Sequence, residues 1–321
     1  MQENLSFKSD FGEIIYTLYH PKTPNGAIVQ IAHGMIEERS KYQELALALA
    51  ENGYVVAVND HRGHGESIGG KSGGYEVAWG EMGERGFFKA VEDMYSLTKI
   101  LKERFSGYDL FLFGHSMGSL LSRVYLQNYE EELKGLILMG TPSPNPLAGL
   151  GIGLCEVFNK LGFNTLGLKV MNLFTLVGFN QKFKRENPNN PPYAWLTREL
   201  KNAEVFTSRE DYQFSFTLNS FKNLFRGLKQ VFSPYPKVKN TSLPIVFMSG
   251  DDDPCGSCGK GAYKAYKHLT SQGYNNVELR LYSGARHELL LEKNKEVVIS
   301  EIVEFFEEVR ATSSDLKHHW C

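Results

Sequence analysis

Along the first 142 residues, short apolar runs alternate with amphipathic segments, the order produced by a parallel sheet with crossover helices. The runs "AIVQIAHG" (27–34), "YVVAVND" (54–60), "DLFLFGHS" (109–116) and "LKGLILMGTP" (133–142) are apolar or β-branched and close near Gly, Asp or Pro, as strands buried on both faces do. Between them, "SKYQELALALAENG" sets Tyr42, Leu45 and Leu49 on one helical face and ends at Gly53. Phe87 to Phe105 repeats at helical spacing through Val91, Met94, Leu97 and Leu101. The rhythm returns at "LPIVFMSG" (243–250), followed by a helix near 259–272, a strand "VELRLYSG" (277–284) and a terminal helix with Val298, Ile302, Phe305 and Val309 on one face. From Ser143 to Lys239 there is no strand rhythm, only Gly-, Phe- and Leu-rich text with the loop-like "NPNNPP". The pattern predicts an α/β fold: a mostly parallel, doubly wound sheet formed by residues 1–142 and 240–321, with a helical insertion over 143–239.

Composition narrows the function. With 321 residues, 42% hydrophobic and 12% aromatic, the chain can bury a large core and is globular. Thirty-five basic against 37 acidic side chains leave a net charge of −2, which offers no general attraction to nucleic acid, so no nucleic-acid partner is expected. The opening "MQENLSFKSDFGE" has no secretory pattern, four cysteines are too few for a framework, and Cys321 is wrongly placed for prenylation, so a reducing cytoplasm is the default location. The most apolar long stretch, 147–179, is interrupted by Glu156, Lys160 and Lys169, so no membrane span is expected. Nothing in the sequence sets an oligomeric state.

The stretch "GESIGGKSGG" (65–74) fits two chemistries. Gly65, Gly70, Lys71 and Ser72 match the spacing of a phosphate-binding loop, while Ser67 and Ser72 each centre a G-x-S-x-G. A phosphate loop needs a strand ending at its first Gly and a helix starting at its Lys-Ser. Here the strand stops near Asp60, and Lys71-Ser72 runs into Gly73 and Gly74, so the stretch reads as a flexible surface loop. A third G-x-S-x-G, "GHSMG" (114–118), joins an apolar strand, Leu110 to Phe113, to an amphipathic helix through Met117, Leu120, Leu121, Val124 and Tyr125. That context is a nucleophile elbow, with Ser116 held in a strained turn above the sheet.

A serine hydroxyl needs a histidine base, and the base needs a carboxylate to fix its tautomer. "SGDDDP" and "SGARHELL" follow two later strands and supply Asp251, Asp252 or Asp253 and then His287, the chain order Ser, Asp, His of α/β-hydrolases. Each candidate lies just past the C-terminal end of a strand, where open α/β sheets place ligands. Oxyanion donors are expected from the N–H of Met117 and from the loop "HGMIEERSKY", most directly Met35, with His33 shaping that loop.

Together "HGMIEERSKY", "NDHRGHGES", "GHSMGS", "GDDDP" and "RHELL", spread over residues 33–291, resemble the monoacylglycerol lipase and lysophospholipase group of α/β-hydrolases, the serine aminopeptidase S33-like enzymes. The resemblance implies a cap between the two halves of the sheet, acyl ester or lipid substrates and no cofactor or metal. It implies Ser116, Asp253 and His287 as the triad and Met35 and Met117 as the oxyanion hole. His33, Gly34 and His115, next to these residues, are expected at the substrate. Glu38 stands where many lipid-preferring members carry a histidine. "AWLTRE" and "FSFT" look like segments of bacterial members. The insertion's apolar runs "GIGLCEVF" and "LKVMNLFTLVGF" suit an acyl-chain tunnel, a transient membrane-surface contact through the cap, or cap core.

Several features admit other chemistries. "CGSC", Cys255 to Cys258, has dithiol spacing, and "DHRGH", with Asp60, His61 and His64, suggests a metal hydrolase without its full ligand cluster. The closing "DLKHHWC" reads as a frayed tail. The same triad also serves thioester and amide cleavage, and the scaffold supports non-enzymatic binding proteins.

Overall fold

The computed structural model describes residues 1–68, 71–72, 75–76, 78–236 and 238–318. Eight strands form the main sheet: β1 (Gln2–Ser9), β2 (Gly12–Tyr19), β3 (Ala27–Ala32), β4 (Val55–Asn59), β5 (Asp109–His115), β6 (Leu133–Met139), β7 (Ile245–Gly250) and β8 (Val277–Tyr282). Their spatial order is β1-β2-β4-β3-β5-β6-β7-β8. β1 pairs antiparallel with β2, β2 antiparallel with β4, and every later pairing is parallel. The sheet is therefore mostly parallel, with an antiparallel hairpin at one edge that the sequence pattern did not announce. β1 reads "QENLSFKS", with no apolar run, because at the edge of the sheet only alternate side chains meet the core.

The central strands are apolar throughout because each face packs on helices. Leu110 and Leu112 of β5 and Leu136 and Leu138 of β6 point to one side, toward Met94, Leu97, Leu121 and Tyr125. Phe111, Phe113 and Ile137 point to the other, toward Leu45, Leu49, Val298, Ile302 and Phe306. The first layer is formed by α2 (Gly86–Arg104) and α3 (Met117–Tyr129), the second by α1 (Gln43–Glu51) and α10 (Lys295–His318). Each fully buried Leu, Ile or Phe contributes roughly 1.5–3 kcal/mol of transfer free energy, so this two-sided burial fixes the sheet's register.

Between β6 and β7 the described elements are helical: α4 (Ala148–Lys160), α5 (Asn164–Asn172), a π-helical turn (Leu173–Val177), α6 (Gly178–Glu186), α7 (Leu200–Thr207) and α8 (Leu218–Val231). Thr217 caps α8 by accepting the Ser220 N–H at 3.1 Å. Then α9 (Lys260–Ser271) links β7 to β8.

The stretch 65–74 differs from the surface loop expected of it. Ser67 is fully buried, its Oγ accepting the Ile15 N–H at 2.9 Å, and a Cβ at Gly65 would overlap the Asp60 carboxylate. This part is fastened to β2 rather than free. Lys71–Ser72 pairs antiparallel with Tyr75–Glu76, while Gly70, Gly73 and Gly74 lie outside the described residues. At the other end α10 extends through His318, and His319 and Cys321 also lie outside them.

Candidate active site

The parallel register aligns strand ends at one rim: Ala32 pairs with Gly114, His115 with Met139, and Gly250 with Tyr282. The candidate residues follow directly, at 33–37 after β3, 116 after β5, 253 after β7 and 287 after β8.

Ser116 sits between β5 and α3 at φ 52°, ψ −116°, a region a side chain rarely enters. The flanking glycines permit it. A Cβ at Gly118 would overlap the Ala32 carbonyl, and one at Gly114 would lie 2.5 Å from Gly118 O, so strand and helix pack at backbone distance. The turn is closed by the Ser116 N–H donating to Met139 O at 2.9 Å.

Ser116 Oγ lies 2.8 Å from His287 Nε2, and His287 Nδ1 lies 3.0 Å from Asp253 Oδ2. His287 and Asp253 are buried, at 2% and 0% exposure, so water does not compete for the carboxylate. Asp253 Oδ1 accepts the Cys255 N–H at 2.8 Å and its carbonyl the Cys258 N–H at 2.7 Å. The neighbouring acids point elsewhere. Asp251 accepts the Gly284 N–H at 2.6 Å, and Asp252 pairs with Lys182. Of the three acids in "DDD", Asp253 is the one whose carboxylate reaches the His287 ring. The "CGSC" turn is its cradle: burial pushes both thiols up, Cys255 well above the ordinary range, which disfavours the thiolate a redox dithiol needs.

The hydroxyl opens into a cavity of about 930 Å³, lined by Met35, Met117, Leu224, Leu228, Trp195 and His287 among others. Met117 is the first residue of α3, where an N–H has no intrahelical acceptor. His33, Gly34 and His115, expected at the substrate, are buried and are not among the residues that line the cavity. His33 Nε2 accepts the His61 N–H at 2.9 Å, which leaves Nδ1 to donate to Gly34 O at 2.8 Å, so the ring is spent on holding the loop. Burial lowers its pKa, and Asp60 only partly offsets this. His61 and His64 pack beside it at ring separations of 4.2 and 5.1 Å; burial lowers both, and crowding of the rings disfavours a charge on any of them, His64 falling to about 3. Asp60 is likewise structural, accepting the Arg39 and Glu66 N–H groups at 2.8 and 2.9 Å. "DHRGH" therefore builds a loop rather than a metal centre.

Sequence reasoning left four charged or aromatic neighbours without a role. Trp195 of "AWLTRE" lies 4.9 Å from the His287 ring. Glu37, Lys41 and Glu288 form a buried cluster with His115, in which Lys41 Nζ lies 2.5 Å from Glu37 and 2.7 Å from Glu288. Glu37, His115 and Glu288 bring ligand atoms within 4.8 Å of one another, the spacing a small cation needs, and the Lys41 ammonium supplies the positive charge there. Burial opposes the Glu37 anion, yet Lys41 and His115 hold it well below the usual carboxylate range. Burial pushes Glu288 up, and burial of His115 is overcome by Glu288 and Glu37, which raise it. The signals were present as a Glu37–Lys41 pair at i,i+4 and an acid adjoining His287. Glu38 reaches the helical segment, 3.2 Å from Arg209 and 3.4 Å from the Tyr212 hydroxyl.

Eight strands in this order, a strained serine between β5 and α3, and Ser116, His287 and Asp253 joined by hydrogen bonds at the sheet's C-terminal rim are the architecture of an α/β-hydrolase. Comparison with known proteins agrees and is more specific. Residues 23–294 match the family described as serine aminopeptidase, S33, and the chain belongs to that family, in its monoglyceride lipase and lysophospholipase group. It is 27% identical over 308 residues to a monoglyceride lipase homolog of Monkeypox virus, covering 94% of this chain and 97% of the relative. It is 24% identical over 280 residues to the monoglyceride lipase of Homo sapiens, covering 87% and 81%. A crystal structure of a highly thermostable carboxyl esterase from Bacillus coagulans in complex with glycerol superposes with a TM-score of 0.83 at 26% identity, over 96% of this chain and 98% of that one. Among the described residues no helix is long and apolar enough to cross a membrane.

Proposed function

We propose that this protein is a serine ester hydrolase acting on acyl lipids or small acyl esters through an acyl-enzyme. Ser116 Oγ attacks the ester carbonyl carbon as its proton passes to His287 Nε2, and Asp253 holds the imidazole in the tautomer that can receive it. The negative charge developing on the carbonyl oxygen is met by the N–H groups of Met35 and Met117; each such donor lowers a barrier by about 3 kcal/mol. Collapse breaks the bond to the alcohol oxygen, which takes the proton from His287. Water, deprotonated by the same nitrogen, then attacks the acyl carbon and frees the acid and Ser116.

The carrying observation is the Ser116–His287–Asp253 relay, at 2.8 and 3.0 Å, opening into an apolar cavity. A volume of about 930 Å³ admits an acyl chain, and the names of the relatives support an ester over the amide that the family's description suggests. Residues 143–239 act as the cap. This reading is supported by Trp195 against His287, and by Glu288 donating its N–H to Leu196 O at 2.7 Å. The exposed side chains of Leu150, Leu161, Phe163 and Leu166 support transient contact with lipid surfaces.

Fluorophosphonate labelling, lost on Ser116→Ala while the fold persists, is the first test. Profiling across aryl esters, monoacylglycerols, lysophospholipids, thioesters and aminoacyl amides is the second. Faster cleavage of thioesters or amides than of every ester would overturn the ester assignment; absence of labelling would return the chain to the binding proteins.

A further inference from the structure

Each part of the machinery has a neighbour in one buried ionic cluster. His115 precedes Ser116, Glu288 follows His287, and Glu37 lies two residues past Met35. The side chains of Lys41, Glu37, Glu288 and His115 are only 7%, 6%, 3% and 0% exposed. Glu37 Oε2 accepts the Gly34 N–H at 2.6 Å and the Tyr42 hydroxyl at 2.7 Å, which fixes the His33–Gly34 peptide, the one preceding the peptide that carries the Met35 N–H. Its Oε1 takes Lys41 Nζ, and the same ammonium reaches across to Glu288 Oε1 at 2.7 Å, a contact spanning 247 residues of chain. His115 closes the ring, with Nδ1 3.3 Å from Glu37, Nε2 3.7 Å from Glu288, and Nε2 3.3 Å from the His287 carbonyl. Gly34 leaves room for it: a Cβ there would meet the Glu37 carboxylate at 2.9 Å.

Such a cluster is a costly way to stabilise a fold, since well-packed apolar side chains of the same volume usually do as well. What it supplies is fixed geometry. The rim loops around it have few helical or strand hydrogen bonds of their own. The distance between the Met35 amide and His287 Nε2 must nevertheless hold to within a fraction of an ångström for oxyanion and proton to be served together.

We propose that Glu37, Lys41 and Glu288 form a buried ionic strap that locks the oxyanion loop to the catalytic-histidine loop, making them positioning residues for hydrolysis. The proposal rests on the reading of Ser116, His287 and Asp253 as catalytic. The strap acts on the geometry of the transition state, so its loss lowers kcat and leaves KM for a small soluble ester nearly unchanged.

The test uses Lys41→Met, Glu37→Gln and Glu288→Gln, with Lys41→Arg as the charge-preserving variant, each titrated for active sites with a fluorophosphonate. The expected result is a fall of roughly tenfold to hundredfold in kcat per titrated site, KM within about twofold, and recovery of most of the loss in Lys41→Arg. If the variants lose only titratable sites and melting temperature, with kcat per site within about twofold of the native enzyme, the cluster is merely structural and the proposal fails. Activation of the native protein by added divalent cations, with loss to chelators, would overturn it in favour of a metal site. Should Ser116→Ala keep native turnover, it is the catalytic reading that falls, a result distinct from any of these.

Discussion

Gly118 packs against the main chain of β3 so closely that a Cβ on it would overlap the Ala32 carbonyl oxygen and lie 2.7 Å from His33 O. Backbone cannot retreat as a side-chain tip can, so Gly118→Ala must move α3 or the rim of β3, and with them Ser116 and the oxyanion loop. We expect a loss of about 3 kcal/mol or more in urea unfolding and the disappearance of fluorophosphonate labelling. A Gly118→Ala protein of native stability and labelling rate would show that the helix does not need this approach.

The elbow stores strain at one residue. Ser116 holds φ 52°, ψ −116°, at a cost of about 1–3 kcal/mol to any residue with a Cβ. Alanine and glycine both remove the hydroxyl, so their difference isolates the backbone. Elsewhere in a protein alanine is the more stabilising by about 0.5–1 kcal/mol. At 116 the order reverses, and Ser116→Gly is expected to be more stable than Ser116→Ala by about 1 kcal/mol in denaturant midpoints.

How much of this was legible depended on whether the constraint was local. Strands buried on both faces announce themselves as apolar runs, so β3 to β8 begin and end within three residues of the segments read from the sequence. β1, half-exposed at the edge, has no such run. "GHSMG" was identified by its strand and helix context. His33 was read as shaping its loop, while the partners that hold His33 and His115 could not be read, because they lie far away in the chain: His61 for one, Glu37 and Glu288 for the other. The choice among Asp251, Asp252 and Asp253 was likewise a question of which carboxylate faces a ring 34 residues on.

Those three acids should separate sharply in kinetics. Asp253→Asn keeps the shape but offers His287 the wrong partner, and a loss of about 10⁴ in kcat is expected. Asp251 closes a turn and Asp252 makes a partly exposed pair with Lys182, interactions contributing about 0–1 kcal/mol, so their Asn variants should stay within about tenfold of native turnover. Equal losses at 252 and 253 would contradict the geometry.

Acid stability follows from the histidines behind the oxyanion loop. Burial depresses His33, His61 and His64, the last to about 3. A group lowered in this way contributes its stability fully above the unfolded value of about 6.5, and that contribution is lost as pH falls through the folded value. Each such ring adds up to about 1.4 kcal/mol per pH unit to the acid slope within its window. His115, raised by Glu288 and Glu37 against its burial, has the opposite sign: its contribution is complete below about 6.5 and disappears as pH rises through its raised value. Unfolding free energy should therefore decline from pH 6.5 toward pH 4, and His64→Gln should flatten that decline by up to one proton's worth. An unchanged slope in His64→Gln would mean the ring is already charged in the folded protein.

The proposed cap, residues 143–239, supplies the last prediction. Isolated exposed leucines are ordinary on any surface, but here Leu150, Leu161, Phe163 and Leu166 stand 54–60% exposed along α4, the turn after it and the start of α5. A patch that meets lipid matters only when the substrate is presented in a lipid surface, whereas cap packing matters for every substrate. The triple change Leu150→Glu, Leu161→Glu, Leu166→Glu should therefore lower turnover of monoacylglycerol in vesicles by about tenfold while a water-soluble aryl ester is cleaved within about twofold of the native rate. Equal losses on both substrates would assign these side chains to the cap's own stability, and no loss on either would leave them as ordinary surface.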